Sequence, residues 1–422
     1  MRQSRSERYA GKKSKHARLY RKLAGTAAIA ILLAIGIYYG WHFATAWMKD
    51  NDAREARPSA ETEQIGQEAI DRNPSDDQSQ QDGQNQQADA EDTEAVHQPK
   101  PEESEVESKE TIQLMLVGDI MMGGRIDGLL RNNGFDYPYK HVGHLLREAD
   151  IAAGNLENPI TSRGEPLDKQ YTFRTSPDAI PAIQESGFDV FNLANNHTLD
   201  YGLIGMRDTI KLLDEAGIGH MGAGEDEIEA FSPYTVEKNG MRIDFLGFTN
   251  VVPDVTWKAD KGIPGLAETY NYTRAIQAIE RSDKEADLVV VFVHWGLERQ
   301  NTPEPYMIEN AHRYIDAGAD LVVGSHPHVL AGIESYNDKW IAYSLGNFIF
   351  TVNPNAPSKD SMILQADCES GGDCSLTVLP MLTGIGQPLP ASAEESEALF
   401  AQLSLLSIGA EVNRQGEVVK LE

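Results

Sequence analysis

The run Leu321-Val322-Val323-Gly324-Ser325-His326-Pro327-His328 sets two imidazoles on either side of a proline, just past a short apolar stretch. Pro327 fixes its own φ and pushes Ser325-His326 toward extended geometry, which makes a stiff turn. Two histidines held on such a turn at a strand's end suit a metal pair. Four other strand ends carry matching chemistry. Val117-Gly118-Asp119 and Asn155-Leu156-Glu157 each end on a carboxylate. Asn195-Asn196-His197 brings an amide and an imidazole, and Val293-His294-Trp295-Gly296 a further imidazole. In α/β sheets the loops after the strands face a common crevice. Asp119, Glu157, Asn196, His294, His326 and His328 would then form a mixed oxygen and nitrogen cage. That donor set suits divalent Mn, Fe or Zn, and the lack of thiolates disfavours a purely soft site.

His197, beside the amide ligand, is better placed to give or take a proton than to ligate. Asp200, three residues on, is expected to orient its ring, as catalytic and ligating imidazoles require. Glu298 is a candidate for the same task or for touching substrate. Arg174 is a candidate anion clamp, because a guanidinium matches carboxylate and phosphate in bidentate fashion. Each residue alone has a plainer explanation. Asp119 would cap a loop, Asn196 an Asx-turn, Glu157 would be a solvated turn residue and His294 a core histidine. Their recurrence at successive strand ends favours one shared site.

The elements that must position these residues alternate between two periods. Strands are expected at 114–117, 151–153, 190–193, 243–248, 288–293, 321–323, 340–344, 362–366 and 376–381. Helical spacing of apolar residues covers 138–148, 177–186, 203–216, 272–285 and 305–317. The alternation indicates an α/β domain over 111–385 with two sheets sandwiched by helices. Strands with little helix between them in the last third point to a mixed or antiparallel second sheet. Residues 386–422 read as a C-terminal helix at 394–407 and a frayed or strand-like tail. Cys368 and Cys374 flank Gly371-Gly372 in an expected hairpin turn and are expected to form a small-loop disulfide. His141 and His144, read as sharing a helix, and His312 look structural.

The motifs VGDIMMGG, NLENPIT, LANNHTLDYG, VHWGLE, GSHPHV and YSLGNFIF together resemble the CapA family, named for poly-γ-glutamate capsule synthesis, with a calcineurin-like metallophosphatase fold. The resemblance covers about 111–383. It implies a four-layer αββα sandwich and two divalent cations bridged by Glu157. Asn196, His294 and His326 would complete one, Asp119 and His328 the other, with His197 as general acid. Two departures count against phosphoester hydrolysis. Met121 stands where the metallophosphatase pattern has a histidine, and Glu157 replaces an aspartate.

The chain has 422 residues and a formal net charge of −28. Residues 1–22 are basic, while 23–48 contain no Asp, Glu, Lys or Arg. Roughly 20 apolar residues cross a bilayer as a helix. By the positive-inside rule the tail stays in the cytoplasm and the rest of the chain lies outside the cell membrane. Residues 49–110 are rich in Gln, Asp and Glu and poor in aliphatic residues, as expected of a disordered spacer. No basic stripe follows, which excludes a nucleic-acid partner. The expected protein is a single-pass, membrane-anchored participant in poly-γ-glutamate synthesis or export. Its partners would be an anionic polymer or phosphorylated envelope substrate and other capsule-synthesis membrane proteins. The competing readings are a metal-dependent phosphoesterase acting on an envelope component and a non-catalytic polymer-binding scaffold.

Overall fold

Alternation along single strands dictates the layering. In Thr111–Ile120, the side chains of Ile112, Leu114 and Leu116 enter one apolar cluster, and those of Met115 and Val117 enter another. In Leu288–His294, Leu288, Val290 and Phe292 enter the first cluster, and Val289, Val291 and Val293 a third. Successive strand residues point to opposite faces, so each strand is buried on both sides. The computed structural model describes residues 110–353 and 355–421. The tail, the expected membrane helix and nearly all of the acidic spacer lie outside the described residues. No helix among the described residues is long and apolar enough to cross a membrane.

In chain order the first strands are β1 (Thr111–Ile120), β2 (Ile151–Leu156), β3 (Val190–Asn192), β4 (Gly219–Met221), β5 (Ala223–Gly224) and β6 (Tyr234–Lys238). Next come β7 (Met241–Thr249), β8 (Gly265–Leu266), β9 (Leu288–His294), β10 (Leu321–Ser325), β11 (Ile333–Tyr336) and β12 (Lys339–Ala342). The last are β13 (Asn347–Ile349), β14 (Asp360–Glu369), β15 (Cys374–Thr383), β16 (Pro388–Pro390), β17 (Ala410–Val412) and β18 (Val418–Lys420). One sheet runs β16-β15-β14-β1-β2-β3-β4, with β13 pairing beside the end of β1. The other runs β11-β12-β10-β9-β7-β6. The cluster between them is joined by Leu399, Phe400 and Leu403 of the helix Ala393–Leu406. Residues such as Ile126, Ile183 and Leu213 cover the outer face of the first sheet. Ala278, Ile279, Ala311 and Tyr314 cover the outer face of the second. The result is a mixed α/β fold of two stacked sheets with helices outside.

The parallel strands β1, β2 and β3, and β9 and β10, end on the same side, as a common crevice requires. The expected assignment of the last third is corrected. β14 and β15 do not build a second sheet but extend the first, with β14 antiparallel to β1 along seven paired residues from Thr111↔Glu369 to Val117↔Ile363. Both faces of β1 are apolar, so it needs an interior position, and β14 supplies its second neighbour. The 138–148 helix is also corrected: it divides into a 3₁₀ turn, Tyr137–Tyr139, and a helix, Gly143–Glu148. His141 therefore lies in the turn between them. Cys368 and Cys374 are disulfide-bonded and face each other across the β14–β15 hairpin. The C-terminal tail is a small hairpin of β17 and β18.

One irregularity aims the first site residue. Leu116 pairs with Ala153, yet Asp119 pairs with Asn155, so β1 holds one more residue than β2 between these points. This bulge resets the alternation and turns Asp119 toward the second sheet. Gly118 sits in it, and a Cβ there would lie 2.0 Å from the Gly346 carbonyl oxygen. Backbone on both sides leaves no flexible group to yield. Gly118→Ala is therefore expected to lower unfolding free energy by about 3 kcal/mol, at the severe end of overpacking, measured by urea denaturation.

Candidate metal centre

Five strand ends deliver the six expected ligands to one buried locus. Asp119, Glu157 and His294 are wholly buried, and His326 is nearly so. Donor atoms of Glu157, His294 and His326 lie within 4.8 Å of one another, and so do those of Asp119, Glu157 and His328. Glu157 belongs to both groups. Asn196 Oδ1 is 3.0 Å from His294 Nε2, which places the amide with the first group. His328 Nδ1 is 3.1 Å from Asp119 Oδ2 in the second. Its Nε2 is 3.8 Å from Glu157 Oε1, and His294 Nε2 is 3.6 Å from the same oxygen.

The polar bookkeeping of this locus is incomplete without a ligand. Both carboxylate oxygens of Glu157 are buried with no hydrogen-bond partner among the described residues, as is His326 Nδ1. Buried polar atoms are nearly always satisfied, and orphaned ones call for an explanation. Here the orphans converge, and they are oxygen and imidazole nitrogen donors of the kind that hold Mn, Fe or Zn. The residues therefore fit divalent cations.

Electrostatics agree. Burial, reinforced by the Asp119 charge, pushes the Glu157 carboxyl well above its ordinary pKa, and His328 opposes this. Burial pulls His294 well down, helped by the neighbouring imidazoles His326, His328 and His197. His326 is lowered to about 3, chiefly by burial and then by His328. Burial also acts to lower His328, but the Glu157 charge and a hydrogen bond donated to Asp119 outweigh it and hold the ring at about 9. Without added positive charge, the carboxylates lean on this one imidazolium.

The turn that carries the histidine pair is not extended as expected. His326 has φ 95° and His328 φ 56°. Positive φ is strained for a histidine before proline, and such strain persists only where surroundings enforce it. The His326 N–H points at both oxygens of Asp119, 3.3 Å from each, which ties the turn to β1. Gly324 allows close approach behind it, since a Cβ there would meet the Tyr343 carbonyl oxygen at 2.0 Å.

His197 stands beside the cage with its Nδ1 2.8 Å from Asp200 Oδ2. Asp200 is wholly buried and also accepts the Phe173 N–H. Its other oxygen pairs with Lys169 Nζ at 2.5 Å, and that ammonium donates to the Asn196 carbonyl at 2.7 Å. Lys169 thus links the amide ligand to the histidine's carboxylate partner. Nothing in the spacing around Lys169 marked it, because it sits in a loop far from any strand end. Burial lowers the His197 pKa, with Asp200 opposing and Lys169 and His328 assisting. Since Nδ1 faces Asp200, Nε2 is the nitrogen left for proton exchange.

Of two further expected residues, Arg174 makes its contacts elsewhere, and Glu298 lies near enough to act on the cage by charge. Arg174 lays its guanidinium 4.4 Å from the Tyr201 ring centre and 3.5 Å from the Arg163 carbonyl, away from the cage. Glu298 is on the exposed loop after β9, and its charge raises Glu157 and His328 without orienting His197. Met121 is buried, with its N–H donated to Ile349.

Asn155 is the organiser that strand-end reading passed over. Its Nδ2 donates to Asp119 Oδ1 at 2.9 Å and lies 3.2 Å from His294 Nδ1. Its Oδ1 accepts from Asn192 and Asn195. Ser325 and Asn347 similarly hold His294 Nδ1 and His328 Nδ1, each at 3.0 Å. Partners that fix ligand orientation typically matter about 10–100-fold in metal affinity. Asn155→Ala is expected to lower divalent-cation affinity within that range while the circular dichroism spectrum is unchanged, as measured by competitive chelator titration.

Comparison with known proteins gives this centre a context. The family model described as bacterial capsule synthesis protein PGA_cap matches residues 113–352, which hold all six candidate ligands. The capsule biosynthesis protein CapA of Bacillus anthracis is 35% identical over 74% of this chain and 76% of its own length. The PGA biosynthesis protein CapA of Bacillus subtilis (strain 168) is also 35% identical, over 68% of this chain and 76% of its own. Among solved structures, NAD nucleotidase (NadN) of Haemophilus influenzae aligns with a TM-score of 0.37 and 11% identity, over 71% of this chain and 56% of that one. With more than half of its length matched and a third of its aligned residues shared, this chain belongs to the bacterial capsule synthesis (PGA_cap) family.

Proposed function

We propose that this protein acts in poly-γ-glutamate capsule formation on the outer side of the cell membrane, held there by residues 23–48, with a two-cation centre of metallophosphoesterase type. The observation that carries this is Glu157, whose two buried, unpartnered oxygens belong to both donor groups. The names of the Bacillus relatives supply the polymer. When bound, divalent cations supply the positive charge and Lewis acidity that an anionic substrate group needs. They also answer an electrostatic objection: a chain of net charge −28 repels a polyanion at long range, so attraction must be local. Around the cage, Asn155 orients Asp119 and His294, Asp200 and Lys169 hold His197, and His197 Nε2 gives or takes the proton.

The second reading is a metal-dependent phosphoesterase acting on an envelope component, favoured by the His197–Asp200 pair beside the cage. The two readings separate in one set of strains. Deleting the gene is expected to abolish surface γ-glutamate polymer, measured by acid hydrolysis and amino-acid analysis. The wild-type gene should restore it, and an Asp119→Ala, His294→Ala double variant should not. Full polymer in the deletion strain would overturn the capsule reading. Turnover of bis(p-nitrophenyl) phosphate by the purified chain, lost in His197→Ala, would then install the phosphoesterase. A chain that takes up no divalent metal on reconstitution would leave only a polymer-binding scaffold.

A further inference from the structure

A second concave feature is lined by none of the candidate ligands. A pocket of about 400 Å³ lies between the loop after β7, the segment 269–272 and the helix Pro305–Asp316. Its lining includes Asn250, Tyr270, Tyr272, Tyr306, Asn310 and Arg313. Two backbone bonds tie this lining to the strand end that bears His294. The Asn250 N–H donates to the His294 carbonyl at 2.8 Å, and the Gly296 N–H donates to the Tyr306 hydroxyl at 2.7 Å. The pocket lining is therefore tied to the backbone of His294 itself and of Gly296, two residues further on.

Two of its polar groups, Asn250 and Asn310, are unused, while the lining residues Glu309 and Arg313 pair with each other. Asn310 is only 8% exposed, and its carboxamide has no hydrogen-bond partner among the described residues. The half-buried Asn250 carboxamide also has none among them. The polar atoms of these carboxamides are not sealed from solvent, so each is open to water or a ligand in the pocket. Each carboxamide offers both donors and an acceptor, the complement of an amide linkage. Tyr270 is 56% exposed and Tyr272 39%, which leaves ring area for methylene groups. Arg313 packs on Tyr272 with its guanidinium carbon 4.1 Å from the ring centre. One of its five N–H donors reaches Glu309, a mostly exposed partner one helical turn away. Such an exposed pair contributes little, so a ligand carboxylate can replace it.

We infer that this pocket is a docking subsite for one unit of an amide-linked, carboxylate-bearing chain, held by Asn250, Asn310 and Arg313. The inference rests on the capsule-polymer reading and adds where the polymer lies. A neutral sugar ring would use the tyrosines and carboxamides but leave the guanidinium idle, so the full set of groups favours the γ-glutamyl unit: one secondary amide, two methylenes and one carboxylate.

The test is calorimetric titration of the full chain with a γ-linked glutamate pentamer. Asn310→Leu and Asn250→Ala are each expected to weaken binding about tenfold, the effect of losing one good hydrogen-bonding group. Arg313→Gln should weaken it and flatten its salt dependence. Metal content should be unchanged in all three. Asn250→Ala, in a half-buried loop, keeps the test valid if Asn310→Leu does not fold. Wild-type binding that all three variants retain would overturn the subsite and leave the polymer reading standing. A wild-type chain that ignores the pentamer, but binds a neutral chito-oligosaccharide in an Asn310-dependent way, would overturn both. Binding of neither probe would overturn the subsite, and the deletion strain would still judge the capsule role.

Discussion

A carboxylate buried without a hydrogen bond is among the least stable arrangements a protein can hold, and Glu157 is one. It stands next to Asp119, a second wholly buried carboxylate, whose charge raises its pKa further. Removing either group would be the simplest way to stabilise the isolated fold. The surrounding structure instead holds both acids in place and rings them with imidazoles, two of which burial keeps neutral. His294 and His326 are pulled down and only His328 is pushed up. The locus fits added positive charge, which would relieve the repulsion between its two carboxylates.

Holding them there requires backbone that departs from regularity. The bulge at Gly118 turns Asp119 inward, and positive φ at His326 and His328 folds two imidazoles back over it. Close approach at Gly118 and Gly324 brings β13 and the strand end before it against the cage from behind. A web of carboxamides at Asn155, Asn192 and Asn195 then fixes the ligands without adding net charge. Neutral amides suit this place because a further carboxylate would deepen the repulsion between Asp119 and Glu157.

The legible part of this design was the part carried by local pattern. The ligand residues sit at the ends of apolar runs, and strand and helix periods are visible over short windows, so Asp119, Glu157, Asn196 and the three histidines could be read from spacing. The hidden part depends on contacts between distant segments. Lys169 reaches Asp200 and Asn196 from a loop whose composition is ordinary. Asn155 looked like a residue before a ligand, and only its bonds to Asp119 and His294 reveal it as their organiser. The placement of β14 beside β1 could not be read either, since an antiparallel strand with an apolar face pairs with whichever edge the tertiary fold leaves open. Proline misled at His326: the local preference for extended geometry was real, but two carboxylate oxygens waiting for its N–H outweighed it.

The two donor groups that share Glu157 are not equivalent, and the difference is written in neighbouring residues. His326 and His328 lie two positions apart, yet one is lowered to about 3 and the other held at about 9. His328 stands between Asp119 and Glu157, whereas the dominant influence on His326 after burial is the positive charge of His328 itself. One group therefore offers two carboxylates and one imidazole, and the other offers one carboxylate, two neutral imidazoles and an amide. Hard, oxygen-preferring cations suit the first, and borderline cations suit the second. If cations occupy both groups, Asp119 and Glu157 would hold one chiefly through oxygen, while His294, His326 and Asn196 would hold the other chiefly through imidazole nitrogen and an amide.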